Sequence, residues 1–497
     1  MSDNIVRVLK FRLNDPSQLD QIMEELIQFE ISEVTQPSTQ NFEVTYFDTK
    51  NRGLHHAGYV YGISRSDDHW RATVKYSGVS ENSNFVKKAQ EWNIEIKSPI
   101  PDINYFRDTP IFYDLKKAQK NKELNPIFKT SFKRKKINLL YANNSWIEIA
   151  GDIGEISANG LSEPLSEIKL ELKIGSMLEM LRLGTAIVKK NILFMENRTK
   201  HYRGFVLLGL NEKNDKKNTL NLNPKEKITW AIVKIMVFDI HEIMNAQENL
   251  LAQPEDPECV HQLRVKVRRL RAIFTFFSPL FNQDDYSGKK EVLGKIGLAF
   301  SGVREYDVLL EQIETITQNS IIPTNEFLNL KKELEAKRKE ELNKMTDYLK
   351  TNQLLAVLLD LWVWLLEDPW MDTELLDLSI KKYAKIQLGE WSNDINKKLK
   401  KMDMKDQKSI HKVRIKSKRL RYVLEQLKSV LGDESKNSII KFEKLQDDLG
   451  FFHDVYINRL LLEKIIEESD SANLCYEAGM ISGWQTNQGN TRMNKYL

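Results

Sequence analysis

The chain has 497 residues, of which 41% are hydrophobic and 29% charged, and this length and composition are typical of a soluble globular protein with two or three domains. Its 74 basic and 70 acidic side chains leave a formal net charge of only +4, so any affinity for anions must come from local clusters of charge. The two cysteines, Cys259 and Cys475, exclude a disulfide framework and match no zinc-binding spacing.

The first half of the chain, to about Leu210, consists mainly of short runs whose side chains alternate between two faces. The candidate strands begin at residues 6–11 and continue at 41–47, 58–64, 71–76, 92–96, 131–141, 145–150 and 166–173. Helical patterns at residues 17–30 and 176–191 interrupt them. Several antiparallel strands with few helices predict a barrel or a strongly curved sheet.

Charged side chains concentrate on the late strands. Glu167, Lys169 and Glu171 share one face of a strand, and Glu148 and Asp152 share a face of the strand before it. Carboxylates that face Lys and Arg inside a barrel suit a metal–polyphosphate ligand. In such a site Mg²⁺ or Mn²⁺ binds carboxylate oxygens while the cationic groups neutralise the remaining phosphate charge. The alternative is a sheet face that is turned to solvent.

A series of motifs in this half resembles the CYTH domain, a triphosphate tunnel family that includes bacterial inorganic triphosphatases, thiamine triphosphatases and class IV adenylate cyclases. The motifs follow in one order between residues 5 and 210, at 46–49, 58, 70–75, 91–92, 147–156, 166–173 and 198–204. The resemblance implies an eight-stranded antiparallel tunnel with flanking helices. Such a tunnel binds triphosphate and, when active, hydrolyses it with a divalent metal ion.

Matching motif positions supplies the candidate tunnel residues. The catalytic candidates are Lys10, Lys75, Glu91, Lys133, Arg134, Arg198 and Lys200. The metal-binding candidates are Glu148, Asp152, Glu167 and Glu171.

The chain departs from the CYTH pattern where the metal should bind. The two N-terminal glutamates of the family correspond to Val6 and Val8, and the central acid of the late strand corresponds to Lys169. Without these carboxylates a dication loses oxygen ligands and the negative charge that offsets its desolvation. We therefore expect a tunnel that is weak or inactive as a triphosphatase. The alternative is an active triphosphatase that uses Mg²⁺ or Mn²⁺ to hydrolyse tripolyphosphate to pyrophosphate and phosphate.

The second half of the chain has a helical pattern. Residues 211–226 are polar and rich in Asn and Lys, which predicts a linker between a first domain at 1–210 and a second at 227–497. The second domain is expected to contain two helical repeats, at about 227–350 and 351–497. The predicted fold class is therefore α+β, with an N-terminal antiparallel β tunnel and a C-terminal all-α duplicated antiparallel bundle.

One basic motif occurs twice in the helical half. It reads HQLRVKVRRLR from His261 and HKVRIKSKRLR from His411, and the copies are 411 − 261 = 150 residues apart. In each copy the His, the first Arg, a later Arg or Lys and the last Arg lie at i, i+3, i+7 and i+10, which places them on one helix face. A single basic face is usually only solvated. A repeated one predicts two helices that line a shared basic groove for a polyanion.

The paired motif resembles the CHAD domain, a conserved histidine α-helical domain that often follows CYTH. This resemblance implies that inorganic polyphosphate binds in a basic groove between the two helical halves. The implied contact residues are His261, Arg264, Arg268, Arg271, Lys295, His411, Arg414, Lys418, Arg421 and Lys444. Asp307 and Asp454, which follow the two copies, either accept hydrogen bonds from an Arg of the basic helix or cap a helix.

The expected partner is inorganic polyphosphate or triphosphate. Nucleic acid is the competing partner, but no aromatic residues alternate with the basic positions and no nucleic-acid-binding motif occurs. The sequence has no secretory signal pattern and no uncharged run of ~18 apolar residues, so we expect a cytoplasmic protein without a membrane partner. The oligomeric state, including a homo-oligomer, is left open.

Overall fold

The computed structural model describes residues 7–27, 33–66, 69–76, 90–210, 219–319, 327–403, 406–432, 434–469 and 471–493. The chain divides into two compact units, Met1–Thr219 and Leu220–Leu497, called here the sheet unit and the helical unit. Val6, the end of the helix predicted at 17–30, and residues 211–218 of the predicted linker lie outside the described residues.

The sheet unit is built around one antiparallel sheet. Its strands are β1 (Arg7–Leu13), β2 (Glu33–Val34), β3 (Ser38–Asp48), β4 (Tyr59–Ser66), β5 (His69–Tyr76), β6 (Gln90–Ile96), β7 (Asn125–Tyr141), β8 (Ser145–Ala158), β9 (Leu161–Ile174) and β10 (Leu193–Met195). They pair in the order β10-β1-β9-β8-β7-β3-β4-β5-β6, and β2 pairs with β7.

The prediction of an eight-stranded closed tunnel is wrong in two respects. The sheet has ten strands, because β2 and β10 are too short to show an alternating pattern in the sequence. Over the described residues the sheet also stays open, with β6 and β10 at its ends. Since β10 pairs with β1 at Phe11–Leu13, the edge of β1 that a closing strand would need is already occupied there.

The long strands β7, β8 and β9 form the centre of the sheet and extend beyond their predicted bounds. β8 and β9 are joined by Asn159 and Gly160, whose φ angles of 50° and 79° are those that a two-residue type I′ turn requires. This turn sets the register, which places Asp152 opposite Glu167 and Glu148 opposite Glu171.

Helices cover one face of the sheet. They are α1 (Gln18–Ile27), α2 (Gly53–His56), α3 (Phe112–Gln119) and α4 (Met177–Lys190). A fifth helix, α5 (Lys200–Leu207), lies on the other face, where Phe205 packs with Phe128, Phe132 and Ile156. The side chain of Leu19 on α1 packs against Gly151 of β8, and Leu9 of β1 packs against Gly184 of α4. Side chains alternate along a strand, so Lys10, which follows Leu9, and Asp152, which follows Gly151, point to the opposite face. We call that opposite face the inner face.

The second half is all-helical, as predicted. Its helices are α6 (Ile228–Ala252), α7 (Pro257–Phe276), α8 (Gln283–Ala299), α9 (Gly302–Asn319), α10 (Leu328–Leu349), α11 (Gln353–Leu366), α12 (Ile380–Lys400), α13 (Gln407–Gln426), α14 (Lys428–Leu431), α15 (Glu434–Glu467) and α16 (Ala472–Met493). Within the described ranges no helix could cross a membrane alone, although α10 and α11, which meet at a 51° bend, satisfy the length and composition criteria as a pair.

The basic motif lies on α7 and α13, which have matching beginnings. Asp256 caps α7 by accepting a hydrogen bond from the backbone N–H of Glu258, and Asp406, 406 − 256 = 150 residues later, caps α13 in the same way. Both helices bury the same positions of the motif. These are Leu263, Val267 and Leu270 on α7 and Val413, Ser417 and Leu420 on α13. The two helices therefore present equivalent faces to the core.

Candidate functional sites

The inner face of the sheet carries two pairs of carboxylates. Asp152 and Glu167 form one pair and Glu148 and Glu171 form the other, with Lys169 between them along β9. Asp152 and Glu167 are almost completely buried, at 1% and 3% exposure. Buried carboxylates at these positions need cationic partners or a metal ion to remain charged.

Cationic side chains neutralise the pair formed by Asp152 and Glu167. The guanidinium of Arg134 donates from Nε and one terminal nitrogen to the two oxygens of Asp152, both at 2.7 Å. Lys200 Nζ lies 2.7 Å from Asp152 Oδ2 and also pairs with Glu167, and Lys10 Nζ lies 3.2 Å from Glu167. Burial alone would raise the pKa of Asp152, but Lys200 and Arg134 outweigh it and hold that pKa well below its usual value.

The second pair of carboxylates is neutralised in the same way. Lys169 Nζ lies 2.6 Å from Glu171, Lys136 lies 3.2 Å from Glu148, and Lys173 pairs with both. Burial would raise the pKa of Glu171, but Lys169 and Lys173 lower it overall. The predicted metal ligands are thus all engaged in ion pairs.

The residues of the inner face do not fit a divalent metal ion. Within the part of the chain that the structure describes, no group of three or more His, Cys, Asp or Glu side chains is placed to hold one. Val8, which replaces a family glutamate, lies opposite Glu171 in the sheet and supplies only hydrocarbon. Since Mg²⁺ and Mn²⁺ require several oxygen ligands, no catalytic step through a metal ion follows from this geometry.

The structure brings most of the catalytic candidates to the inner face but not all of them. Lys75 Nζ and Glu91 lie on neighbouring strands and pair at 2.9 Å. Arg198 pairs with Glu196 at 2.9 Å, and its carbonyl accepts a hydrogen bond from Lys10. Lys133 precedes Arg134 in β7, so its side chain points to the other face, where it is exposed.

Sequence reasoning missed several charged residues of the sheet unit. Glu196 and Arg203 are buried, at 3% and 2% exposure, and Arg203 donates from Nε to Glu163 at 2.9 Å. Lys136 and Lys173 pair with the predicted carboxylates. Lys136 lies two residues after Arg134, and Lys173 two residues after Glu171. Residues two apart share a strand face, so the sequence could have placed both lysines with the predicted residues.

In the helical unit, the cations of α7 and α13 lie on two different sides of each helix. Lys266 and Arg269 pair with Glu242 and Asp239 of α6, at 2.5 and 2.7 Å. Lys416 pairs with Asp394 of α12 at 2.5 Å. The cations predicted to bind polyphosphate lie on a different side of each helix, where Arg414 pairs with Asp454 at 3.3 Å and Arg421 pairs with Glu425 at 2.6 Å.

Arg268 lies at the centre of this second group, which we call the cation cluster. Its members are Arg264, Arg268, Arg271, Arg414, Lys418 and Arg421. Burial and neighbouring cations, including Arg268, lower the pKa of Arg264 to about 9 and that of Lys418 to about 7. Burial lowers the pKa of Arg414, and Arg268 lowers it further across the helix pair. Arg268 itself is exposed, and no described residue forms a hydrogen bond or ion pair with it.

The two copies of the motif differ in their acidic partner. Asp454 accepts a hydrogen bond from Arg414 at 3.3 Å, which is one of the two arrangements predicted for it. Asp307 instead accepts from Arg338 of α10 at 2.6 Å, while Arg264 donates to the carbonyl of Phe300. The predicted Arg partner for Asp307 is therefore wrong, because α10 supplies a nearer guanidinium than the basic helix does.

A cavity of about 320 Å³ adjoins the second copy of the motif. Its lining residues come from α9, α13 and α15 and are Gln312, Arg414, Lys418, Gln446, Asp447, Gly450, Phe451 and Asp454. Arg421 donates to Gln446 at 2.8 Å, and Arg492 of α16 stacks on the ring of Phe451 at 3.9 Å. The Nε atom of Arg414 is buried without a hydrogen-bond partner among the described residues.

The two motif histidines have a different character from the arginines. His411 stacks on His453, with ring centroids 5.0 Å apart and planes 17° apart. Burial and neighbouring cations lower the pKa of His261 and that of His411. The lowered pKa favours the neutral form of each ring, and a neutral ring can offer an N–H donor to an anion without adding charge.

Lys295 and Lys444 are not brought to the cation cluster by any described contact. Lys295 is exposed and pairs with Glu291 of its own helix at 2.8 Å, and Lys444 is exposed on α15. Sequence reasoning missed three other residues, Arg304, Gln312 and Arg492. Arg304 lowers the pKa of His261 and lies in the segment after the first motif, so its position was visible, whereas Gln312 and Arg492 come from other helices.

Comparison with known proteins identifies the class of the helical unit. A family model described as the CHAD domain matches residues 240–463, and these residues are therefore a CHAD domain. The chain is also 27% identical over 164 residues to an inorganic triphosphatase from Haemophilus influenzae, and this match covers 33% of the chain and 45% of that protein. The predicted resemblance is thus confirmed, because the chain contains a CHAD domain and is similar to an inorganic triphosphatase.

Two solved structures, a CHAD domain and a putative adenylyl cyclase, are similar to parts of the chain. The CHAD domain from the plant Ricinus communis is 22% identical with a TM-score of 0.48, over 55% of this chain and 90% of that one. A putative adenylyl cyclase from Hippeastrum with a dominant triphosphatase activity is 16% identical with a TM-score of 0.30, over 41% of this chain and 98% of that one. Because both scores are below 0.5, the family assignment rests on the CHAD match.

The ion pairs of the inner face predict a pH-dependent stability. The Lys200→Met substitution removes the cation shared by two buried carboxylates, so we expect the free energy of unfolding of the sheet unit to fall by about 3–5 kcal/mol at pH 7. The pKa values of Asp152 and Glu167 are lowered in the folded protein, so their ionised forms stabilise it above the unfolded pKa of about 4. The effect of the substitution should therefore shrink as the pH falls below about 4.

Amide hydrogen exchange in β8 and β9 measures this loss in the whole chain. The matched control is Lys135→Met. It removes a lysine that pairs with Asp20 at a similar distance, 2.9 Å, but in an exposed position, so the free energy of unfolding should fall by less than about 1 kcal/mol. Equal losses in the two variants would show that the inner ion pairs have no special role in stability.

Proposed function

We propose that the helical unit binds inorganic polyphosphate in the cation cluster between α7 and α13. The observation that carries the proposal is Arg268, an exposed guanidinium with no described partner that lies among cations of both helices. Like charges held together raise the free energy of the unbound protein, and this cost is removed when a polyanion binds between them. The CHAD match supports this assignment, because the resemblance implies a polyphosphate-binding groove at these residues.

Polyphosphate fits the cluster better than nucleic acid does. Guanidinium groups present paired N–H donors that match phosphate oxygens, and five of the six members of the cluster are arginines. Single-stranded nucleic acid would also require aromatic rings on which bases stack. Phe451 is the aromatic residue of the described cavity, and Arg492 already covers its ring.

For the sheet unit we propose that metal-dependent triphosphatase activity is weak or absent. The similarity to an inorganic triphosphatase favours the alternative, an enzyme that hydrolyses tripolyphosphate with Mg²⁺ or Mn²⁺. The buried ion pairs of Asp152 and Glu167 weigh against it, since a metal ion would have to displace Lys200 or Arg134 to reach these oxygens. A cytoplasmic location remains a prediction.

Charge reversal at the centre of the cluster tests polyphosphate binding. The Arg268→Glu substitution should weaken the affinity for long-chain polyphosphate about 100-fold, because it replaces an attraction for phosphate with a repulsion at the centre of the cluster. Lys295→Glu makes the same change of charge on an exposed residue outside the cluster and should alter the affinity less than about threefold. Isothermal titration calorimetry at fixed salt concentration measures both.

The same assay distinguishes polyphosphate from nucleic acid. Both ligands bind through salt-sensitive phosphate contacts, so the competition is run at fixed salt concentration. Single-stranded RNA at equal phosphate concentration should leave bound polyphosphate in place, because Phe451, the aromatic residue of the described cavity, is covered by Arg492 and cannot stack on a base. Displacement of polyphosphate by RNA would overturn the assignment, and so would equal losses in Arg268→Glu and Lys295→Glu.

The lowered pKa of Lys418 predicts a pH-dependent affinity. With a pKa of about 7, Lys418 gains its charge as the pH falls from 8.5 to 6, so polyphosphate should bind more tightly at pH 6. The groups that face Lys418 are Arg414, Arg268, Asp454, Arg421 and His411. Lys418→Met should reduce this pH dependence, measured with long chains that have few titrating ends. An unchanged pH profile in this variant would contradict the role of Lys418.

The proposed weakness or absence of triphosphatase activity in the sheet unit is tested by measuring phosphate release from tripolyphosphate. The whole chain should release little phosphate with Mg²⁺ or Mn²⁺, and a chelator should change that rate little, because the carboxylates are held by Lys and Arg. Val8→Glu adds a carboxylate opposite Glu171 and should raise metal-dependent release above that of Val8→Gln. Rapid metal-dependent turnover by the unaltered chain would overturn the proposal.

A further inference from the structure

Three amide side chains from three helices meet beside the cavity. They are Gln312 of α9, Asn458 of α15 and Gln485 of α16. Asn458 Nδ2 donates to Gln312 Oε1 at 2.8 Å, and Gln485 Nε2 donates to the same oxygen at 2.5 Å. Asn458 and Gln485 are each only 1% exposed, so this contact is part of the interior of the helical unit.

The two donated hydrogen bonds set the orientation of Gln312. A side-chain carbonyl oxygen has two lone pairs, and both of those on Gln312 Oε1 are used by Asn458 and Gln485. The opposite end of the amide is the NH₂ group, which carries two donors. Gln312 lines the cavity beside Arg414 and Lys418, and no described residue accepts a hydrogen bond from its amide nitrogen.

The arrangement costs free energy in the unbound protein. Gln485 Oε1 is buried without a hydrogen-bond partner among the described residues, and buried polar atoms of this kind are uncommon in folded proteins. An apolar contact between α9, α15 and α16 would avoid that cost. The amide group is therefore better explained by what Gln312 offers to the cavity than by the stability of the helix packing.

We propose that Gln312 is a phosphate-binding residue of the cavity and donates its amide N–H groups to phosphoryl oxygens. Asn458 and Gln485 are positioning residues, which hold its carbonyl oxygen away from the anion. The inference rests on the proposed polyphosphate binding and assigns one more contact to that site. Gln312 supplies neutral donors next to the charged ones of Arg414 and Lys418.

A neutral donor has a signature that a cation does not have. Each protein cation that contacts a polyphosphate chain releases bound counterions, so the affinity falls with rising salt concentration in proportion to the number of such contacts. An amide releases none. Loss of Gln312 should therefore lower the affinity by the same factor at every salt concentration, whereas loss of Arg414 should make the affinity less dependent on salt.

The test uses two substitutions at Gln312 in the full chain. Gln312→Glu keeps an oxygen that accepts from Asn458 and Gln485 but turns a carboxylate oxygen to the cavity, so folding is preserved and polyphosphate affinity should fall more than about 10-fold. Gln312→Met removes the donors and should lower the affinity about 10-fold with an unchanged salt dependence. Arg414→Met is the comparison that should reduce the salt dependence.

Gln353→Glu is the matched control, because it makes the same change of charge on an exposed residue of the helical unit. It should leave the affinity within about twofold of the unaltered chain. Titration calorimetry with long-chain polyphosphate at several salt concentrations gives the affinities, and thermal unfolding of each variant gives its stability.

The outcomes separate this inference from the proposed function. If the unaltered chain fails to bind polyphosphate, both are overturned. If Arg268→Glu abolishes binding but Gln312→Glu binds as the unaltered chain does, the inference about Gln312 alone is overturned. It is equally overturned if Gln312→Met loses affinity together with part of its salt dependence, since the residue would then act only by placing Arg414 and Lys418.

Discussion

The burial of one apolar stripe on α7 and its equivalent on α13 is the constraint on which the helical unit depends. Leu263 and Leu270 of α7, with Val413 and Leu420 of α13, are excluded from solvent. The apolar and basic residues occupy different faces of the same helix, so burying the apolar face fixes the direction in which the basic side chains point. The free energy of burying the stripe offsets the repulsion among the cations that it brings together.

The two units treat their charged residues in opposite ways. On the inner face of the sheet, Asp152 and Glu167 are each surrounded by Lys and Arg, so the charges are satisfied within the protein. In the cation cluster the charges of Arg268 and Lys418 have few carboxylates near them. A site whose charges are already paired gains little from an ionic ligand, whereas a site of unpaired cations gains much. This contrast is the physical basis for assigning anion binding to the helical unit.

The sequence predicted the helical unit better than the sheet. The motif copies at His261 and His411 predicted two helices and the face of each that carries the cations, because these features depend on residues within a few helical turns. The strand count and the open sheet could not be read from the sequence, since β2 and β10 contain two and three residues and pair only with distant strands. The motif positions also group Lys133 with Arg134, although neighbouring strand residues face opposite sides of a sheet.

The sequence by itself determined that α7 and α13 are equivalent basic helices, because helical periodicity and the 411 − 261 = 150 residue repeat are local properties of the chain. Only the tertiary structure decided which cations are neutralised. Lys266 meets Glu242 and Asp307 meets Arg338, whereas Arg268 meets no described partner. These pairings depend on which side chains come within about 4 Å of one another, and that distance is set by packing between residues far apart in the chain.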